Sequence, residues 1–314
     1  MEADKDSDSL FCVWKKRDLK VVNTMEIIVN MACGLANRMF QYSYYLFLKK
    51  QGYEVAVDFY RSAKLAHEKV EWNAVFPHAE IRQASRLKVF LWGGGADICS
   101  KVRRKYFPSS TKVRTTTGAF DASLPDNTAK NQYIIGVFLN AAVVEAVGDE
   151  VKACFSFLPF ADEKNLRIEK EIEACESVAI HVRKGKDYQS RIWYQHTCPM
   201  EYYRKAIARM KEKVRHPKFY VFTDNAEWVK ENFQGIKYTL VEGNPADGYG
   251  SHFDMQLMSL CKHNIISNST YSWWSAFLNC NPEKVVIAPE VWFNPDSCNE
   301  FKSDKALCKG WIAL

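Results

Sequence analysis

No run of about 18 consecutive apolar residues occurs in this 314-residue chain, so no transmembrane helix is expected. No CxxC pair is present, and no cysteine stands at zinc-ligand spacing from a histidine, which removes zinc ribbons and dithiol redox motifs. The ten cysteines are scattered, so a disulfide framework is not expected either. Cys33, Cys154, Cys261 and Cys280 fall in apolar runs and read as small buried hydrophobes of a reducing compartment. No GxGxxG follows a strand, no GxxxxGK[ST] occurs and no GxSxG elbow occurs. Dinucleotide oxidoreductases, P-loop NTPases and α/β-hydrolases are thereby disfavoured. The Asp-x-Asp pairs are confined to Asp4, Asp6 and Asp8, in a patternless tail. A metal–diphosphate site needs acids held rigidly after a buried strand. Any diphosphate is therefore expected to meet arginine, lysine and helix dipoles, with no metal. Repeats, low-complexity tracts and heptads are also lacking.

The charge excess is small, +6 with a pI near 8.7. That is no nucleic-acid footprint, and no nucleic-acid module accompanies it. It suits an anionic small-molecule ligand, or contact with an anionic membrane face through the basic stretch "KVRRK" at 101–105. A content of 47% hydrophobic and 25% charged residues reads as globular, with length for one large or two ordinary domains. Residues 1–9 carry four acids and no apolar segment, so a cytoplasmic protein is expected. The folded part is expected to begin at Met25, with 1–24 a loose extension or a mis-assigned start.

From Met25 the chain reads strand, glycine turn, helix of roughly a dozen residues, and a second strand ending at Asp58. Residues 61–130 are irregular and basic; they read as an acceptor-binding region or as a poorly periodic helical lobe. From Tyr133 six short runs follow: "YIIGVF", "SVAIHV", "KFYVFTD", "YTLVE", "HNIISN" and "KVVIAP". Each is continuously apolar, as when helices cover both faces of a sheet. Helical stretches at 200–215, 226–233, 254–261 and 272–279 separate them. The fold class is α/β, two lobes with a cleft between, divided at 25–160 and 161–314, the second built on a parallel doubly wound sheet.

In open α/β sheets ligands bind beyond the carboxyl ends of strands. Four polar clusters follow four strands: Gly34 to Arg38 with Asn37; Arg183, Lys184 and Asp187, with His181 at the strand end; Asp224; and Asn268, Ser269, Thr270 and Ser272. Hydroxyls and free N–H groups at a helix start can hold a phosphate. Arginine can grip one bidentately, and Gly34 permits close backbone approach. Each residue also has a plain structural reading. The serines can be helix caps, Asp224 a cap, His181 a satisfied core histidine, and Trp273 and Trp274 core packing.

In "GLANRMFQYSYYLFLKKQGYEVAVD", "SVAIHVRKGKDY", "FYVFTDNAEWVKENF" and "DMQLMSLCKHNIISNSTYSWWSAFLN" the chain resembles family 11 glycosyltransferases, the bacterial-type α-1,2-fucosyltransferases. The resemblance runs from about Met25 to Asn294. It implies a GT-B-like fold of two Rossmann-like lobes, with the nucleotide sugar held mainly by the second. It implies inverting, metal-independent transfer of L-fucose from GDP-fucose, commonly to O2 of a galactose, in surface polysaccharide synthesis. Such acceptors are often lipid-linked, which adds peripheral contact with the inner membrane face. By position, Arg183 would grip the diphosphate and His181 would lie near the nucleoside. Asp224 would read guanine or ribose, Ser269, Thr270 and Ser272 would hold phosphates, and Asn37 would face the transferred sugar. Gly34, Arg38, Lys184 and Asn268 complete the donor-side set, and Asp187 is the candidate base. The chain departs from the family where a paired arginine becomes Arg183-Lys184, where Lys186 is inserted before Asp187, and at Ala36, Arg38 and Leu139. A different GDP-sugar or linkage, or a non-catalytic GDP- or glycan-binding relative, are the alternatives.

Overall fold

The computed structural model describes residues 25–60, 71–93, 102, 111–116, 118–125 and 131–314, and the expected extension 1–24 lies outside them. The first lobe runs β1 (Glu26–Asn30), α1 (Leu35–Lys50), β2 (Glu54–Asp58), α2 (Trp72–Val75), α3 (Arg86–Trp92), β3 (Thr111–Thr115), β4 (Asn131–Ile135), α4 (Ala141–Ala146) and α5 (Gly148–Cys154). Among the described residues its four strands are all parallel, in the order β2-β1-β4-β3. The second lobe runs α6 (Glu163–Glu173), β5 (Ser177–Val182), α7 (Lys186–Gln189), α8 (Met200–Lys213), β6 (Lys218–Thr223), α9 (Ala226–Asn232), β7 (Tyr238–Val241), α10 (Phe253–Leu260), β8 (His263–Ile265), α11 (Thr270–Leu278), β9 (Val286–Ala288) and β10 (Ile312–Ala313). Its strands are also parallel, in the order β10-β9-β8-β5-β6-β7.

The expected α/β architecture is present. β1 and β5 are buried along their whole length, which is why they read as continuous apolar runs. Each sheet reverses its direction of winding once, between β1 and β4 and between β5 and β8, and such reversals open ligand crevices. The stretch at 111–115 forms β3, an edge strand, where the sequence reads as irregular. Threonine stands at both ends around Lys112, Val113 and Arg114, a pattern too short and too charged to show a core face. β4 ends at Ile135, earlier than its apolar run, and three residues on the backbone turns to a left-handed φ of 58° at Phe138. Cys261 is buried as expected, but Cys33 and Cys280 are exposed, since each sits at a turn beyond its element.

α1 has apolar or buried polar contacts nearly all round, because it is covered twice. One side lies on the first sheet; the other takes α11, a helix of the second lobe. Trp273 and Trp274 are fully buried and join Phe40, with ring centroids 4.6 and 4.8 Å from it. The Trp274 indole N–H donates to the Ala36 carbonyl at 2.9 Å. One apolar core thus includes residues from both lobes. Gln41, buried inside α1, is satisfied: it accepts from Ala32 N–H and donates to the Gly136 carbonyl, both at 2.8 Å.

Candidate functional site

A cleft of about 490 Å³ opens between the lobes, at the carboxyl ends of both sheets. Three of the four polar clusters come from β5, β6 and β8, neighbours in the second sheet; the fourth follows β1 and faces them from the first. Gly34, Asn37, Arg183, Asp224, Ser269 and Thr270 all line it.

Two helices start at this cleft. α1 begins at Gly34, which has no side chain to cap it, and α11 begins at Ser269. The two starts are tied together: Thr270 Oγ1 donates to Asn37 Oδ1 at 3.0 Å. Ser269 Oγ accepts from Tyr271 N–H at 3.3 Å, so it is also a helix cap. The left-handed backbone position is at Cys33 (φ 68°), not at the extended Gly34. Asp224 organises the loop after β5. Its Oδ1 accepts from Lys184 N–H at 2.7 Å and Gly185 N–H at 2.9 Å, and its Oδ2 holds Arg183 Nε at 3.2 Å. The Arg183 guanidinium lies over the Tyr188 ring, 5.5 Å from its centroid. The carboxylate and the ring together aim Arg183 along the cleft wall.

Four expected donor-side residues, Lys184, Ser272, Arg38 and His181, do not line the cleft, whereas Asn268 lines it with its amide engaged elsewhere. Lys184 donates to the Thr197 carbonyl at 2.9 Å and lies over the Trp228 ring; burial lowers its pKa. Asn268 spends its amide on Thr197 Oγ1 and the Trp292 carbonyl, so it pins loops together. Ser272 is fully buried and donates back to the Ser269 carbonyl at 3.3 Å. Arg38 is buried on the far side of the α1 start, near the Phe59 ring. His181 is buried in β5 with Nδ1 2.8 Å from Ser267 Oγ. Asp187 follows Gly185 at the start of α7, but its side chain lies outside the described residues.

Burial, helped by the Arg183 charge, pushes the His181 pKa from 6.5 down to about 3. Burial lowers His252 to about 4. Both rings are therefore neutral at working pH. Because their folded pKa values are depressed, their contribution to stability is complete above 6.5 and drains away as pH falls toward those values. The melting temperature should accordingly decline as pH is lowered from about 6.5 to about 4. A flat melting temperature over that interval would contradict the burial of both rings as neutral species.

The cleft has further lining residues without a motif: Ala119, Val137, Tyr188, Arg191, Tyr194 and Phe293. They come from loops, the one-turn helix α7 and a short 3-10 turn, so no periodicity marks them. The one available signal was the aromatic density of "DYQSRIWYQ" just after Arg183.

The family model described as "Glycosyl transferase family 11" matches residues 118–314. The O-antigen biosynthesis glycosyltransferase WbnK of Escherichia coli is 26% identical over 308 residues, covering 90% of this chain and 98% of that protein. An alpha-1,2-colitosyltransferase of Escherichia coli is 26% identical over 304 residues, covering 88% and 95%. Galactoside alpha-(1,2)-fucosyltransferase 2 of Sus scrofa is 26% identical over 141 residues, 44% of this chain and 41% of that one. Among solved structures, FUT1 of Arabidopsis thaliana in complex with GDP is similar at a TM-score of 0.44 and 13% identity, covering 94% and 77% of the two chains. The family match takes in more than half of the sequence, including the whole second sheet and the strand β4 of the first. The chain belongs to glycosyl transferase family 11 and is a glycosyltransferase.

Proposed function

We propose that this glycosyltransferase moves L-fucose from GDP-fucose, with inversion and without a metal, to a hydroxyl of a glycan acceptor, O2 of a galactose, in surface polysaccharide synthesis. The observation that carries the reading is the meeting of two helix starts, α1 and α11, beside Arg183. Helix N-termini present N–H groups and the positive end of the dipole, so they suit a diphosphate. As the glycosidic bond to GDP breaks, negative charge grows on the leaving diphosphate. Arg183 and the two helix starts answer that charge, which lowers the barrier. The acceptor hydroxyl attacks the opposite face of the sugar. Asp187 is the proposed base that takes its proton.

The names of relatives support the same chemistry, since they include an O-antigen glycosyltransferase and galactoside fucosyltransferases. A lipid-linked acceptor and a cytoplasmic protein touching the inner membrane face belong to this proposal. Among the described residues no helix is long and apolar enough to cross a membrane. Flotation with anionic vesicles tests the contact, and flotation indifferent to anionic lipid removes it. The alternative of another GDP-sugar in the same site draws support from the alpha-1,2-colitosyltransferase relative. A non-catalytic GDP binder gains support from Lys184, whose withdrawal leaves Arg183 alone of the pair.

Calorimetry of the full chain with GDP, with and without EDTA, followed by GDP-fucose hydrolysis in the same sample, tests the proposal. Micromolar binding unaffected by EDTA, with slow release of fucose, is the expected result. Binding abolished by EDTA overturns the metal-free reaction. Absence of GDP binding overturns the donor.

A further inference from the structure

Among the described residues that line the cleft, the fixed charges are Arg183, Arg191 and Asp224. Two of them answer each other, since Asp224 Oδ2 meets Arg183 Nε at 3.2 Å. Arg191 is left over. It is exposed on the cleft, and no carboxylate of the described residues lies within ion-pair distance of it. The uncancelled charge of the lining is therefore the guanidinium of Arg191. A nucleotide diphosphate carries more than one negative charge, and helix starts offer only partial charges to meet it.

An exposed arginine is ordinarily a solvated surface charge, but this one stands at a built position. It opens the 3-10 turn Ile192–Tyr194, and its backbone is held twice: its N–H donates to the Tyr188 carbonyl at 3.2 Å, and its carbonyl accepts from Tyr194 N–H at 3.0 Å. Lys184 braces the same turn. Its ammonium donates to the Thr197 carbonyl at 2.9 Å, and Thr197 Oγ1 donates to the Tyr194 carbonyl at 2.6 Å. The buried Asn294 adds its N–H to the Trp193 carbonyl at 2.7 Å. The cation beside Arg183 in the sequence thus gives up the cleft and supports the loop that carries another cation into it. Tyr188, Tyr194 and Phe293 stack as an aromatic wall along this side, with centroids 4.3 and 5.8 Å apart. Arg183 lies over Tyr188, at one end. Arg191 belongs further along: burial raises the Tyr194 pKa, and the charge of Arg191 opposes this more than that of Arg183 does. The Cys33 thiol, from the turn before α1, acts on the same phenol.

From this placement, and resting on the donor reading above, we infer that Arg191 is the second arginine of the site and grips the leaving phosphate of the donor. Arg183 meets the diphosphate from the β5 edge, and Arg191 meets it from the Tyr194 end, toward the start of α1. Each guanidinium offers a planar pair of N–H donors to phosphate oxygens. When the bond from the sugar C1 to the phosphate oxygen breaks, its electron pair stays on that oxygen. The acceptor hydroxyl bonds to C1 as its proton passes to the base proposed above. The Arg191 charge, uncancelled by any described carboxylate, answers the charge left on the phosphate.

Calorimetry of the full chain with GDP and with GMP, on the unsubstituted protein, Arg191→Gln and Arg191→Lys, tests the inference. Arg191→Gln is expected to weaken GDP about tenfold and to leave GMP within about twofold, because only GDP carries the second phosphate. Retained GMP binding also shows that the variant is folded. Arg191→Lys should recover part of the loss, since charge returns without the fork. The kcat for fucose release from GDP-fucose should fall in Arg191→Gln as well. Unchanged GDP binding and kcat in Arg191→Gln would make the arginine a solvated surface charge and overturn the inference. An equal loss for GDP and GMP would assign it to the nucleoside side and overturn it too. An unsubstituted chain that binds no nucleoside diphosphate sinks the donor reading and the inference together. One that binds UDP or ADP instead, about tenfold more weakly in Arg191→Gln, sinks the guanine donor alone and spares the arginine.

Discussion

Arg183→Ala is expected to lower kcat/KM for fucosyl transfer about a hundredfold, roughly 3 kcal/mol of transition-state stabilisation. The side chain is held by Asp224 at 3.2 Å and supported by the Tyr188 ring, so its charge is delivered in a set direction. Removing it leaves Arg191, the helix starts and hydroxyls to meet the developing diphosphate charge. Arg183→Lys should recover part of the loss, because charge returns but the planar fork does not. Asp224→Asn should cost about tenfold, since the carboxylate acts through Arg183 and the Lys184 and Gly185 amides. Steady-state kinetics with GDP-fucose, read beside the Kd for GDP, separates the cases. An Arg183→Ala enzyme with unchanged kcat/KM would take Arg183 out of the reaction. The same experiment on Asp224→Asn shows whether the loop depends on its carboxylate.

Trp274→Ala is expected to destabilise the protein by about 3–5 kcal/mol. The indole is fully buried, packs on Phe40 and Phe155, and donates its N–H to the Ala36 carbonyl. Truncation opens a cavity where the lobes meet and removes a hydrogen bond that ties α11 to the start of α1. The effect should therefore reach the cleft, with weaker GDP binding even at temperatures where the variant is folded. Trp274→Phe should cost less, because most of the volume stays and only the hydrogen bond goes. Chemical denaturation with a far-UV readout measures both. A loss below about 1 kcal/mol for Trp274→Ala would mean that the lobes are stable independently and that their shared core is incidental.

The two expectations differ in how much of their basis could be read from the amino acids. Arg183 follows a run, "SVAIHV", whose continuous apolar character marks a strand buried on both faces. A residue just past such a strand lies at the ligand edge of a parallel sheet, whatever the rest of the chain does. The serines and threonine of 267–272 stand before an apolar helix, and the helix start is where the structure has them. Local pattern suffices there because strand, turn and helix are neighbours in sequence. The wide burial of α1 was also legible in its aromatic and aliphatic content, although its partners were not.

Direction and pairing were decided by tertiary structure. Nothing local distinguishes Arg183, which lines the cleft, from Lys184, which folds onto Thr197 and Trp228; the two are adjacent and carry the same charge. Asn268 and Thr270 are two residues apart in one polar cluster, yet one is consumed in bracing loops and the other reaches across to Asn37. The aromatic wall joins residues 188, 194 and 293, about a hundred positions apart at its ends, and carries no period to detect. Sequence by itself determined the α/β class, the parallel strands and the loops that carry polar groups, because those follow from burial and from the chemistry of neighbouring residues. Only the folded chain decided which side chains face the cleft and that α11 joins the core of the first lobe, because both depend on contacts between residues far apart in the chain.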